Sequence, residues 1–283
     1  MVVLDNGYMR VEISELGAEI RRVTINNEER MWNGDPKFWS GVSPVLFPIC
    51  GGLKDDKFTH EGKEYQMDSH GFARRSTFEL EAKGENFAVF LLKENEETLK
   101  HYPWHFEFRV KYNITSSAIK IEYDVKNTSD STMYAAVGCH EAYLCPDGIE
   151  NYDVIFEKKE TLKTGILNGK LLTKNWETVL FDSDTFPLYT KEFAARDSFV
   201  FTGIKSRFAT LRNRKTGRSV SVGFEGFSNF LIWNIPDAPY VCLEPWTGCP
   251  SFDFASYEIS EKEGMTAIDP NTRMTKVHTV YFD

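Results

Sequence analysis

The sequence predicts a mainly β, antiparallel fold, and three observations carry that prediction. Apolar and polar residues alternate with period two in several segments, turn chemistry separates those segments, and helical periodicity is scarce. Met9 to Ile13 (MRVEI) is the first half-buried strand. Phe106 to Ile114 (FEFRVKYNI) and Ile119 to Val125 (IKIEYDV) follow, and Thr115-Ser116-Ser117 between them reads as a hairpin turn. Asn127-Thr128-Ser129-Asp130 ends the second of these strands, and Lys215-Thr216-Gly217 turns another hairpin into Ser219 to Phe224 (SVSVGF). Lys276 to Phe282 (KVHTVYF) should tie the last residues into a sheet. Helix is expected only as a turn or two at Glu94 to Lys100 and Ser256 to Glu261, so strands do not alternate with helices and a parallel α/β fold is unlike this pattern. Many strands with short connections imply a large sandwich or barrel whose edge or concave face presents a ligand site. No repeat or Pro/Gly-rich linker divides the chain, and residues 1–283 are expected to form one domain.

Composition narrows the partners. Hydrophobic residues make up 41% and aromatics 14%, including 22 Phe, 12 Tyr and 6 Trp, which is ample volume for a packed core. A net charge of −9 opposes nucleic acid and anionic membranes and leaves a small ligand as the expected partner. No stretch approaches the roughly 20 apolar residues needed to span a bilayer, and the first residues lack a basic segment followed by an apolar one, so a cytoplasmic location is expected. Five cysteines, Cys50, Cys139, Cys145, Cys242 and Cys249, are odd in number and widely spread, which fits buried thiols in a reducing compartment. The sequons at Asn113 and Asn127 then carry no meaning.

Six histidines can be weighed in turn. His60 lies in a polar loop, and His278 sits in the last strand where alternation could expose it; both read as structural or solvated. His101 and His105 have the spacing of helical metal ligands, but Pro103 between them argues against a helix. His70 sits in Asp68-Ser69-His70-Gly71-Phe72-Ala73-Arg74-Arg75, beside a glycine hinge, an aromatic ring and two guanidiniums. His140 follows an apolar strand and opens HEAYL, which lacks the second histidine of the zinc-protease pattern. Each of these two histidines alone is more often a hydrogen-bonded core or surface residue than a catalytic one. Glu244 is the most unusual carboxylate, because an apolar run from Ala238 to Leu243 leads into it and Pro245-Trp246 follows. Desolvation raises a carboxylate's pKa toward the range useful for proton transfer, although a structural ion pair would place it equally well. Trp32, Trp39, Trp233 and Trp246 could stack on a sugar or pack at a rim. No Cys-x-x-Cys pair, phosphate loop, Walker lysine or nucleophile elbow is present, and neither a metal nor a cofactor is expected.

Five segments in order then resemble the aldose 1-epimerase, or galactose mutarotase-like, family: Gly17-Ala18-Glu19-Ile20, Ser43 to Gly51 (SPVLFPICG), His70 to Arg74, Gly138-Cys139-His140, and Leu243 to Trp246. Each is weak alone, and their order and spacing over nearly the whole chain give the match its strength. The resemblance implies a large antiparallel β-supersandwich with few short helices and an open sugar cleft. By resemblance, Glu244 is the general base, His140 the general acid, and His70 a second histidine near the ring oxygen. Arg74, Asp197 and Trp246 are the implied substrate contacts, the match at Asp197 being the shortest. Two departures bear on substrate preference: Gly52 stands where the family often has arginine, and Glu141-Ala142-Tyr143 follows His140 where proline and an aromatic are common.

Mutarotation needs a base for the anomeric hydroxyl proton and an acid for the ring oxygen. A carboxylate and an imidazole can be tuned so that one is ionised and the other protonated near pH 7. The implied substrate is an aldose, taken up by a monomer or homodimer. Competing readings are a non-catalytic carbohydrate-binding protein on the same fold, a hexose-6-phosphate mutarotase using Arg74-Arg75 as its basic cluster, and a glycosidase pairing Glu244 with Glu141 or Asp253.

Overall fold

A computed structural model describes residues 1–189, 193, 196 and 198–283. The alternating segments fold as their patterns require. Val2–Asp5, Met9–Ile13, Ile20–Ile25 and Glu28–Glu29 form a small antiparallel sheet at one end. The rest of the architecture is dominated by a 15-stranded antiparallel sheet. Its central path runs Val45–Leu46, Gly138–Cys139, Tyr240–Trp246, Asn229–Trp233, Ser198–Thr202 and Tyr152–Asn168. It continues through Phe208–Asn213, Ser219–Gly223, Arg273–Phe282, Ala118–Asn127, Phe106–Thr115, Phe87–Lys93 and Glu79–Lys83. Glu141–Leu144 adds to Tyr240–Trp246, and Leu171–Pro187 adds to Tyr152–Asn168.

The two halves of this sheet pack against each other through a large apolar cluster, with a second, smaller cluster around Leu46, Leu172 and Trp246. Phe47, at the first edge, stacks on Phe108 near the other edge with ring centroids 4.5 Å apart. Tyr143 meets Phe282 at 6.4 Å, and His278 reaches Glu141 at 2.9 Å. Inward positions of Phe106–Thr115 are buried at every second residue, and the Ser116-Ser117 turn pairs Thr115 with Ala118. Burial of those aromatic side chains supplies the main driving force, on the order of 25 cal/mol per Å² of apolar surface.

Glu96–His101 is a short α-helix, opened by a capping box between Asn95 and Thr98 and closed before Pro103. Ile259–Glu261 makes only a 3-10 turn. No helix of the described residues is long and apolar enough to cross a membrane. All five cysteines are free and buried.

Two features go beyond the sequence pattern. His278 is 1% exposed, because its side of the last strand turns inward and its Nε2 bonds the Glu141 carboxylate. The long strands Tyr152–Asn168 and Leu171–Pro187 were not expected: four register shifts interrupt their pairing and erase the two-residue period that marks a regular strand.

Candidate active site

The central strand Tyr240–Trp246 is buried at every position, because it is flanked on one side by Asn229–Trp233 and on the other by Gly138–Cys139 and Glu141–Leu144. Alternation puts Glu244 and Trp246 on one face of it. That face lines a hollow of about 230 Å³, together with His70, His140, Trp233, Ser69, the Gly51-Gly52 backbone and Lys170. Glu244 is only 1% exposed, an unusual setting for a carboxylate.

His140 sits between two short strands, its N–H donating to the Pro44 carbonyl at 3.1 Å. Its ring is held between Trp39 and Trp233, with centroids 4.8 and 4.9 Å away. Its Nδ1 lies 3.4 Å from Glu244 Oε1. Burial pushes the His140 imidazole down to about 3, with the charge of Arg74 acting the same way. The imidazolium near neutrality that an acid role expects is therefore opposed by desolvation. The adjacent Glu244 is the group placed to favour it, and two groups this close take up and release protons as a pair.

His70 is placed by backbone geometry. It and Gly71 both have positive φ, 67° and 68°. Gly71 is required here, since a Cβ would fall 2.3 Å from the Phe47 carbonyl oxygen. The His70 N–H donates to the Gly51 carbonyl at 2.9 Å, and the Gly51 N–H donates to His70 Nδ1 at 3.2 Å. An accepting Nδ1 leaves the ring proton on Nε2, so His70 is a neutral N–H donor. Burial first, then the charges of His140, Arg74 and Arg75, holds its pKa well below the ordinary histidine value. The His70 ring meets His140 at 5.9 Å and Trp246 at 5.2 Å. Trp246 is fixed in turn by its indole N–H, which donates to the Cys139 carbonyl at 2.9 Å.

The structure thus brings Glu244, His140, His70 and Trp246 into one hollow. Arg74 does not line it. Its Nη2 donates to the Ser69 carbonyl from behind the His70 loop, and its charge bears on both histidines. Asp197 lies outside the described residues. Of the four tryptophans, Trp233 and Trp246 face the hollow, Trp39 backs His140, and Trp32 is buried with its N–H on the Trp39 carbonyl. Glu141 points away from His140 into the core, where it accepts from the Tyr143 hydroxyl at 2.6 Å and pairs with His278. The unusual residues after His140 therefore rebuild the layer behind the site rather than its lining. Neither Glu141 nor Asp253 lines the hollow, and Glu244 is the one carboxylate among its described lining residues.

Sequence reasoning missed Lys170, which reaches the hollow from the tip of the long irregular hairpin; no local pattern marks it. His140, Cys242 and Glu244 place ligating atoms within 4.8 Å of one another, and Cys139, Glu141 and His278 do the same. In the second group the carboxylate is already satisfied by Tyr143 and His278, so that set requires no metal to explain its packing. A larger groove, about 780 Å³, lies along Phe208, Ser221 and Tyr281. Its Arg207 pairs with Glu157, its Lys276 donates to the Gly226 carbonyl, and the His278 ring is turned inward. Convergent proton-transfer groups are found in the smaller hollow.

The model of a family described as aldose 1-epimerase matches residues 1–275. Protein LacX, plasmid, of Lactococcus lactis is 30% identical, with 95% of each chain covered. A galactose mutarotase related enzyme of Lactobacillus acidophilus is 32% identical, covers 100% of this chain and 97% of its own, and superposes with a TM-score of 0.94. A galactose mutarotase-like protein of Lactobacillus casei is 26% identical, covers 100% of both chains and gives the same TM-score.

Proposed function

The chain belongs to the aldose 1-epimerase family and has the galactose mutarotase-like fold, and on that premise we propose that it is a mutarotase interconverting the α and β anomers of a hexose. The observation that carries this reading is the meeting of Glu244, His140 and His70, drawn from three distant parts of the chain, in one sugar-sized hollow.

Ring opening takes the proton from the anomeric hydroxyl onto Glu244 while the ring oxygen receives one from His140, which is neutral in the free protein and carries its extra proton in the productive sugar complex, beside Glu244. Rotation about C1–C2 exposes the other carbonyl face, and closure runs both transfers backward. The 3.4 Å approach of the two groups lets one proton serve the pair, so the enzyme ends each cycle as it began. His70 donates its Nε2–H to a sugar oxygen and, being neutral, does so without competing for the transferred proton. Trp246 and Trp233 offer apolar faces to the pyranose. Burial of the carboxylate strengthens each electrostatic contact by excluding water.

The test is Glu244→Gln, which keeps the shape and removes the base. Polarimetry of fresh α-glucose or α-galactose should show a loss of roughly 10²–10⁴-fold, with sugar binding largely retained. Unchanged turnover ends the base assignment. A wild-type protein that fails to speed interconversion over buffer, yet binds sugar, establishes the non-catalytic reading instead.

A further inference from the structure

We propose that Lys170 is a specificity-determining residue at the mouth of the hollow, and that it receives an anionic substituent, a phosphate, carried by the sugar away from its anomeric carbon. The inference rests on the mutarotase reading for the identity of the site, and on separate geometry for the role of the lysine.

Lys170 stands at the tip of the hairpin between Tyr152–Asn168 and Leu171–Pro187, far in sequence from the other lining residues. A ladder of main-chain bonds fixes that tip. The Leu172 N–H donates to the Ser251 carbonyl at 2.9 Å, and the Asp253 N–H returns to the Leu172 carbonyl at 2.8 Å. The Ser251 N–H donates to the Gly52 carbonyl at 2.9 Å. The stem of Lys170 then lies directly on Gly52: a Cβ there would sit 2.7 Å from Lys170 Cδ and 2.8 Å from its Cγ. Glycine at position 52 is thus the residue that lets this lysine cross the mouth. A side chain growing from residue 52 and the present course of Lys170 exclude one another.

The ammonium is paired with the Asp56 carboxylate, and both are well exposed, 41% and 46%. Such a pair is worth little in water and can be exchanged for a substrate anion. Arg75 pairs with Asp68 beside it, and Asp68 also feels the charges of Arg74 and Lys170. Lys170 is the only lysine or arginine among the described residues lining the hollow. In a chain of net charge −9, an ammonium at that mouth held only by an exposed carboxylate marks the place for an anion. With Glu244 and His140 holding the anomeric end at the floor, the charged substituent belongs at the rim. A phosphate offers several strong acceptors to an ammonium that can rotate its three donors toward them.

The experiment compares glucose, glucuronate and glucose 6-phosphate with wild type, Lys170→Met, Lys170→Arg and Asp56→Asn. Two readouts are taken: polarimetric kcat/KM, and binding followed by quenching of the tryptophan fluorescence. Wild type should prefer glucose 6-phosphate over glucose, and Lys170→Met should reduce that ratio roughly ten- to a hundredfold, the loss expected for one charge-assisted hydrogen bond. Lys170→Arg should restore most of it, and Asp56→Asn should raise it several-fold. A glucuronate preference equal to that for glucose 6-phosphate would refute phosphate as the anion. A ratio that Lys170→Met leaves unchanged, or equal wild-type binding of glucose and glucose 6-phosphate, would overturn the proposal. A binding preference lost in Lys170→Met without turnover of any sugar would uphold the role of Lys170 and remove the mutarotase reading.

Discussion

Acidification from pH 7 to pH 5 should destabilise this protein through His140, and the size of the effect follows from its burial. The folded-state value is about 3, against about 6.5 for a histidine in an unfolded chain. A folded value below the unfolded one means that the unfolded chain binds the extra proton first. The stability attached to neutral His140 is therefore complete above pH 6.5 and is lost progressively as pH falls toward 3. At pH 5 the displacement is about 1.5 pH units from 6.5, which at about 1.4 kcal/mol per unit gives a cost of about 2 kcal/mol. Urea unfolding followed by tryptophan fluorescence, at pH 7 and pH 5, measures it in wild type and in His140→Gln. The variant loses packing between Trp39 and Trp233 at both pH values, so that loss cancels in the comparison. Wild type should lose about 2 kcal/mol more than the variant between the two pH values. Equal losses would refute the reasoning and would mean that Glu244, 3.4 Å away, fully offsets the desolvation of the imidazolium.

Three further outcomes follow from named contacts. His70→Ala should lower kcat/KM about 10²-fold by polarimetry, and nitrogen NMR of the wild-type ring should show the proton on Nε2 from pH 6 to pH 8, because Gly51 occupies Nδ1. Gly71→Ala should cost about 2 kcal/mol or more in urea unfolding, since a φ of 68° and the Phe47 carbonyl both oppose a side chain. Glu141→Gln should cost about 1–3 kcal/mol in the same assay while leaving the lining of the hollow in place, because it disturbs the bonds from Tyr143 and His278 behind the site.

The parts of the fold that alternation could encode were readable in advance. Phe106–Thr115 and Ala118–Asn127 pair through the turn that Thr115-Ser116-Ser117 announced, and the last strand joins the sheet as KVHTVYF suggested. Glu244 stood out because a charge at the end of an apolar run demands a reason, and the strand Tyr240–Trp246 is buried throughout. His70 and His140 became candidates together only through the family resemblance, since neither carries a local signal that separates it from a core histidine. What stayed hidden depends on tertiary position. Arg74 lies next to the right loop yet behind it, because the turn of Ala73–Arg75 directs its guanidinium to the Ser69 carbonyl. Lys170 is one lysine among many until a bulged hairpin carries it across Gly52. His278 follows the alternation of its strand, but which face of that strand is inside is decided by Glu141, on another strand.

His140 and Glu141 are neighbours that point to opposite sides of the backbone, the first into the hollow and the second to His278 in a distant strand. The floor on which chemistry is proposed is thereby nailed from beneath by a strand 137 residues further along the sequence. A partly assembled chain can hold every proposed catalytic side chain and still lack the backing that aligns them. Recovery of activity on refolding should therefore be all-or-none, lagging behind sheet formation and arriving only with closure of the whole sandwich.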